Sequence, residues 1–135
     1  MEKNEDIFSK GIGNKEGAKS LEAKPVVVLS KEAKAVLGKV GSKNAGKEVG
    51  KKLNLVCKHP DREEPINISE MVFVAGKTVK TSTMWINLDE DGNIQKGSTV
   101  ALLLEKYQVP NVNALEGKTL QTELDENKFL AIKAY

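Results

Sequence analysis

The chain has 135 residues, a length typical of one domain with a core of ordinary extent. Its hydrophobic content of 39% and charged content of 30% fit a modest folded unit that carries a polar extension. The single cysteine excludes an internal disulfide framework. Because no apolar run is long enough for a membrane helix and the first residues do not resemble a signal peptide, we expect a cytoplasmic protein with no membrane contact.

The net charge is only +2, but the lysines are concentrated in the N-terminal part of the chain. Residues 1–52 hold twelve lysines against seven acidic residues, a balance of +5, and residues 53–135 carry −3. An asymmetry of this kind is typical of proteins that contact polyanions. Lysine-rich segments also keep many small proteins soluble, so the charge pattern alone identifies no partner.

The first 50 residues are predicted to form two parts. Residues 1–24 are polar and lysine-rich, with little apolar surface to offset the entropy of ordering them, and are predicted to be a flexible basic tail. In residues 25–50, a β-branched run at 26–29 predicts a short strand. Ser30 as a cap and Gly38 as a stop predict a helix over residues 31–37, followed by a Gly/Lys-rich loop.

Residues 51–135 are predicted to be the folded domain, beginning with three strands. Alternation predicts a half-buried strand at 51–58 and a longer strand at 66–75 that bends near Ser69. Gly76 and Lys77 supply a short hairpin connection to a third strand at 78–88. The only tryptophan, Trp85, falls on the more polar face of that strand.

A helix and two further strands are predicted after an acidic turn at residues 89–92. Ser98 can cap a helix whose apolar residues recur at helical spacing, namely Val100, Leu103, Leu104 and Tyr107. Asn111 can cap one more turn, which Gly117 closes. The polar turn at residues 125–128 then joins strands at 118–124 and 129–135.

The order of these elements is strand, strand, strand, helix, strand, strand. This order predicts a mainly β domain with one or two short helices, arranged as a small five-stranded barrel of the oligonucleotide-binding (OB) type. The competing arrangement is an open sheet with the helix packed across one face.

Aromatic residues interleaved with lysines predict a stacking surface for single-stranded nucleic acid, because bases stack on rings and phosphates pair with ammonium groups. The residues of this predicted site are Trp85, Phe129, Lys133, Tyr135, Lys77 and Lys80. The basic tail would add affinity that depends on salt. In the alternative interpretation, Trp85 and Phe129 cover a flank of the core, as aromatic side chains usually do.

Two loops resemble ligand-binding motifs incompletely. Residues 41–47 have the glycine spacing and lysine of a phosphate-binding loop, but Glu48 replaces the hydroxyl residue that binds magnesium. Asn87, Asp89, Asp91 and Gly92 follow the spacing of a calcium loop, yet Ser98 stands where a bidentate glutamate belongs. A basic loop and an ordinary acidic turn are the simpler interpretations.

No residues form a recognisable catalytic or metal-binding set. Cys57 and His59 are too few for a structural zinc site and lack a third orienting group for catalysis. The charged run at residues 61–64 is typical of a solvated loop. We therefore expect a non-enzymatic protein without a cofactor or metal that binds single-stranded DNA or RNA, or alternatively a protein-interaction or structural accessory module.

Overall fold

The computed structural model describes residues 7–13, 21–43 and 45–135. These residues form a mainly β structure with one short α-helix, and none of its helices is long and apolar enough to cross a membrane. The strands are β1 (Val26–Leu37), β2 (Glu48–Lys58), β3 (Ile66–Ile68), β4 (Glu70–Ala75), β5 (Thr78–Thr83), β6 (Thr119–Leu120), β7 (Thr122–Leu124) and β8 (Leu130–Lys133). The helix is α1 (Thr99–Lys106), and 3-10 turns occupy Ile7–Ser9 and Val112–Leu115.

The strands form two four-stranded sheets. The first sheet has the order β3-β2-β1-β6, and the second has the order β5-β4-β8-β7. Neighbouring strands are antiparallel except β4 and β8, which run parallel with Met71 opposite Ile132. Both sheets and α1 contribute side chains to one buried core, which contains Leu55, Met71, Met84, Leu103 and Ile132.

The chain passes from one sheet to the other at three places. Ser69 alone separates β3 from β4, which confirms the predicted bend, and Gln121 alone separates β6 from β7. Beyond β5 the chain leaves the second sheet and runs along β2 of the first. There the Leu53 amide donates to the Met84 carbonyl at 2.8 Å, and Lys52 lies opposite Trp85.

The predicted helix at residues 31–37 is wrong. These residues belong to β1, which pairs with β2 from Val27 opposite Lys58 to Leu37 opposite Glu48. Alanine, lysine and glutamate are good helix formers, but helix propensity amounts to less than about 1 kcal/mol per residue, and a ladder of backbone hydrogen bonds to a neighbouring strand outweighs it. Ser30 therefore lies inside a strand, next to a bulge, and caps no helix.

The predicted helix after Ser98 is confirmed. The Ser98 hydroxyl accepts a hydrogen bond from the Ala101 amide, while Val100, Leu103 and Leu104 are buried. The next turn is also as predicted, since the Asn111 side chain accepts from the Ala114 amide at 3.1 Å. Local capping and apolar spacing were sufficient to identify both elements.

Tyr107, which ends α1, connects the helix to the point where β6 becomes β7. Its hydroxyl accepts a hydrogen bond from the Gln121 amide at 2.9 Å and donates to the Lys133 carbonyl at 2.6 Å. Burial raises the pKa of the Tyr107 phenol above its usual value. The hydroxyl thus satisfies backbone groups at the break between the two strands.

The last residues of the predicted tail are attached to the sheets through His59. The buried His59 ring accepts from the Asp61 amide at Nδ1, and its Nε2 lies 2.8 Å from the Glu22 carbonyl. The proton therefore resides on Nε2, which donates to Glu22. Nearby, Lys24 forms an ion pair with Asp61 that lowers the pKa of the Asp61 carboxyl. Residues 1–6 and 14–20 of the predicted tail lie outside the described residues.

Two turns share one hydrogen-bonding pattern. Asp89 accepts from the amides two and four residues later, at 2.9 and 3.0 Å, and Asp125 does the same at 2.8 and 2.9 Å. The fourth residue of each turn has a positive φ, 83° at Gly92 and 66° at Lys128. Glycine adopts this conformation without steric cost, whereas lysine does not.

Lys128→Gly should raise the free energy of unfolding by about 0.5–1 kcal/mol, since it removes the left-handed strain at a residue whose side chain is exposed. Urea unfolding measures the change. Lys77→Gly, in the turn between β4 and β5, is the matched control and should not stabilise. A destabilised Lys128→Gly variant would contradict the strain argument.

Tyr107→Phe should lower the free energy of unfolding by about 0.5–1.5 kcal/mol, because the Gln121 amide and the Lys133 carbonyl would lose a partner while the packing of the ring is kept. The control is Tyr135→Phe, which removes a hydroxyl that contacts only the Glu123 side chain at the surface. Equal effects of the two substitutions would mean that the Tyr107 hydroxyl does not stabilise the strand break.

Candidate functional site

The outward face of the first sheet brings Trp85 together with two lysines. Lys34 of β1 lies directly opposite Lys52 of β2, and Lys52 lies opposite Trp85 on its other side. Residues directly opposite each other on neighbouring strands share a face of the sheet. The three side chains therefore form one row, while the adjacent residues Leu53 and Met84 point into the core.

A glycine makes room for the indole ring beside this row. A β-carbon placed on Gly50 would lie 3.3 Å from a carbon of the Trp85 ring, closer than most real contacts of this kind. The ring therefore packs against the backbone of β2 and remains partly accessible to solvent. Val36 lies opposite Gly50 and continues the same face.

A polar cluster lies further along the same face, toward β3. The buried Asn54 side chain donates to Asn67 at 2.9 Å and accepts from the Ser69 hydroxyl at 2.8 Å. Glu32 lies opposite Asn54 and is exposed. This network fixes the bend at Ser69 and therefore the edge of β2 along which Trp85 lies.

The positive charge of the N-terminal part of the chain lies on the β1–β2 hairpin. Residues 1–24 hold five lysines and five acidic residues, a balance of zero. Residues 25–52 hold seven lysines and two acidic residues, a balance of +5. Four of these lysines are on the two paired strands. Lys34 and Lys52 share the face of Trp85, whereas Lys31 has the opposite orientation and forms an ion pair with Glu116.

Three of the predicted site residues lie on the second sheet. Phe129 and Tyr135 are 68% and 38% exposed, and the Lys133 ammonium lies 4.8 Å from the centre of the Tyr135 ring. The Tyr135 hydroxyl donates to Glu123, and this bond raises the pKa of the phenol. Lys133 ends β8, and Phe129 and Tyr135 lie just before and just after this strand. Ala131, which alternates with these three residues along the chain, is buried.

The two remaining predicted residues are near acidic side chains. Lys77 is exposed in the turn between β4 and β5, and Lys80 lies opposite Phe73. Lys80 lines a cavity of about 360 Å³ that also contains the carboxylates of Glu123, Asp125 and Glu126. Negative charge at this position disfavours a phosphate backbone.

The six predicted residues are therefore divided between two sheets, with Trp85 on the first and the other five on or beside the second. Sequence reasoning missed Lys34 and Gly50, because residues 31–37 were interpreted as a helix and the residues from 38 to 50 as a loop. Lys52 was placed in the predicted strand at 51–58, but its position opposite Trp85 was not recognised. Alternation at residues 48–58 could have extended the strand toward Gly50. The cross-strand register that places Trp85 beside Lys52 has no local sequence signal.

The incomplete motifs have structural explanations. The Asp89 carboxylate accepts hydrogen bonds from the amides of its own turn, and Gly92 has a positive φ, as an ordinary turn requires. Cys57 is buried, which raises the pKa of its thiol to about 12 and keeps it protonated at neutral pH. In the described part of the chain, no three His, Cys, Asp or Glu side chains are grouped so that they could hold a metal ion.

A larger cavity of about 640 Å³ lies between the turn at Gly92 and α1. Leu88, Leu104 and Val109 contribute to its lining together with Lys96 and Glu105. None of the six predicted site residues lines this cavity.

Comparisons with protein-family models, with curated proteins and with solved structures found no match for this chain.

Gly50→Ala should move the Trp85 ring away from β2 and shift its fluorescence emission to longer wavelength, because a methyl group would occupy the space beneath the indole. As Trp85 is the only tryptophan, the emission spectrum and acrylamide quenching report on this one ring. Gly11→Ala, at a position with open space around it, is the control. An unchanged spectrum in Gly50→Ala would contradict the close packing of Trp85 on Gly50.

Proposed function

We propose that this chain is a small non-enzymatic protein that binds single-stranded DNA or RNA on the outward face of an OB-like β-barrel. Trp85 supplies a surface on which a base stacks, while Lys34 and Lys52 pair with the flanking phosphates. The observation that carries the proposal is the cross-strand row of Lys34, Lys52 and Trp85.

The strand pairings support an OB-like barrel. In the first sheet, β1 pairs with β2, and β2 pairs with β3. The chain continues from β3 into β4 of the second sheet, where β4 pairs with β8 and β8 pairs with β7. The path closes because β7 directly follows β6, and β6 pairs with β1. Five strand segments thus follow one another around a closed path, and α1 precedes the last two of them. A five-stranded Greek-key barrel has this number of strands. One of these five barrel segments is β1, whereas the sequence analysis predicted that all five barrel strands lie within residues 51–135.

Electrostatics support a polyanion as the ligand of the first sheet. Like charges that lie directly opposite each other on paired strands destabilise a sheet, and Lys34 and Lys52 are such a pair. A phosphate between the two ammonium groups would remove this repulsion. Stacking on an aromatic ring contributes about 1–3 kcal/mol per base and tolerates any base, so the pair of lysines and Trp85 suits binding without strong sequence preference.

The connection between β1 and β2 supplies further lysines. Lys39, Lys43 and Lys47 lie in or beside the tip of this hairpin and are exposed. In OB-type barrels the loop between the first two strands and the face of the neighbouring strands are the surfaces that bind oligonucleotides. The lysines of the tip would extend the phosphate contacts that begin at Lys34.

Trp85→Ala should weaken binding of a labelled single-stranded oligonucleotide about 5- to 150-fold, which corresponds to the loss of one base stacked on an aromatic ring. Lys34→Gln/Lys52→Gln should also weaken binding and should reduce its dependence on salt concentration, because fewer phosphates would be neutralised. Fluorescence anisotropy of the full chain with DNA and RNA, at two salt concentrations, measures both effects.

Phe129→Ala and Lys133→Gln are the matched controls, since they change an aromatic ring and a lysine on the second sheet. They should leave the affinity within about twofold of the unmodified protein. If the controls weaken binding and the first-sheet variants do not, oligonucleotides bind to the second sheet and the proposed position of the site is wrong. If the unmodified chain binds no oligonucleotide even at low salt, the alternative of a protein-interaction or structural accessory module replaces this proposal.

A further inference from the structure

The outward face of the second sheet carries a largely polar groove with an acidic rim, in which Val79 and Leu124 are the exposed apolar side chains. Val74 and Val79 lie opposite each other and are 42% and 52% exposed. Beside them is the cavity of about 360 Å³, lined by Val72, Val79 and Thr81 on one side and by Glu123, Asp125 and Glu126 on the other. We call this feature the acidic groove. With Lys80 included, its charged side chains carry −2.

The tip of the β1–β2 hairpin has the opposite properties. Val40 is 100% exposed, and Leu37 and Val49 on either side of it are about half exposed. Lys39, Lys43 and Lys47 lie between these apolar residues in the sequence and are exposed. Hydrogen bonds shape the tip, because the Gly38 amide donates to the Lys47 carbonyl at 2.8 Å and the Ser42 amide donates to the Lys39 carbonyl at 3.0 Å.

The two features complement each other in both polarity and charge. Val40 and Leu37 would meet the exposed apolar side chains of the groove, and the lysines of the tip would meet Glu123 and Glu126. We propose that the hairpin tip of one copy of this chain docks in the acidic groove of a second copy. Side chains with apolar stems and cationic heads suit a surface of this kind, since the stems cover Val79 while the ammonium groups remain near the carboxylates.

The contact joins different surfaces on the two copies, so it is heterologous and leaves a free tip and a free groove at the ends of each assembly. A hairpin tip buries a small area, and contacts below about 1,200 Å² belong to weak, transient complexes. Self-association should therefore be reversible, dependent on concentration and weakened by salt. It requires no nucleic acid and can be tested independently of the function proposed above.

Sedimentation velocity of the full chain at rising protein concentration tests the proposal, at low and at moderate salt. The unmodified chain should associate, and its association constant should fall at least tenfold at the higher salt. Glu123→Lys/Glu126→Lys in the groove and Lys39→Glu/Lys43→Glu in the tip should each reduce self-association at least tenfold. Val40→Ser should also reduce it, whereas Leu88→Ser, which alters an exposed leucine outside both surfaces, should not.

Mixing the two charge-reversed variants provides the decisive measurement. The groove variant and the tip variant should associate with each other, although neither associates with itself. In the mixture, the unchanged tip of the groove variant meets the unchanged groove of the tip variant, and the acidic tip meets the basic groove. A monomer at every concentration at low salt would overturn the proposal. So would self-association that none of the groove or tip substitutions changes, or a mixture that fails to associate.

Discussion

The fold depends on the satisfaction of backbone hydrogen bonds where the chain changes sheets. At Ser69 and Gln121 a strand leaves one sheet and enters the other within a single residue, so the regular ladder is interrupted. The Met84 amide donates to the Ser69 carbonyl at one crossing, and the Gln121 amide donates to the Tyr107 hydroxyl at the other. Without these partners, the backbone groups at the two crossings would lose their hydrogen bonds within the protein.

The position of Trp85 is a consequence of these crossings. Because β3 turns away from β2 at Ser69, the remaining edge of β2 is open, and the chain after β5 occupies it from Met84 to Ile86. The Met84 amide donates to the Ser69 carbonyl at 2.8 Å, which ties this segment to the bend itself. Trp85 consequently faces outward over Gly50, between two residues that are fixed to the framework.

The elements that could be predicted from the sequence are those with local causes. Ser98 and Asn111 cap their own helical turns, and the alternation around Ser69 reveals a bent strand. Residues 31–37 could not be predicted in this way, because their local preference is helical and only pairing with β2 makes them a strand. The candidate site followed the same rule: alternation grouped Phe129, Lys133 and Tyr135 along one strand, but the row of Lys34, Lys52 and Trp85 depends on register across three strands.

A net charge of +2 is compatible with recognition of a polyanion because the charges of this chain are segregated. The lysine surplus lies on β1, β2 and their connection, and three carboxylates lie around the acidic groove of the other sheet. At physiological ionic strength, charges separated by more than about 8 Å of solvent are largely screened. A phosphate next to Lys34 and Lys52 would therefore experience mainly the charges of the hairpin itself, where these two lysines outnumber Glu32 on the same face. The distant acidic residues reduce the total charge of the molecule with little effect on the local potential at Trp85.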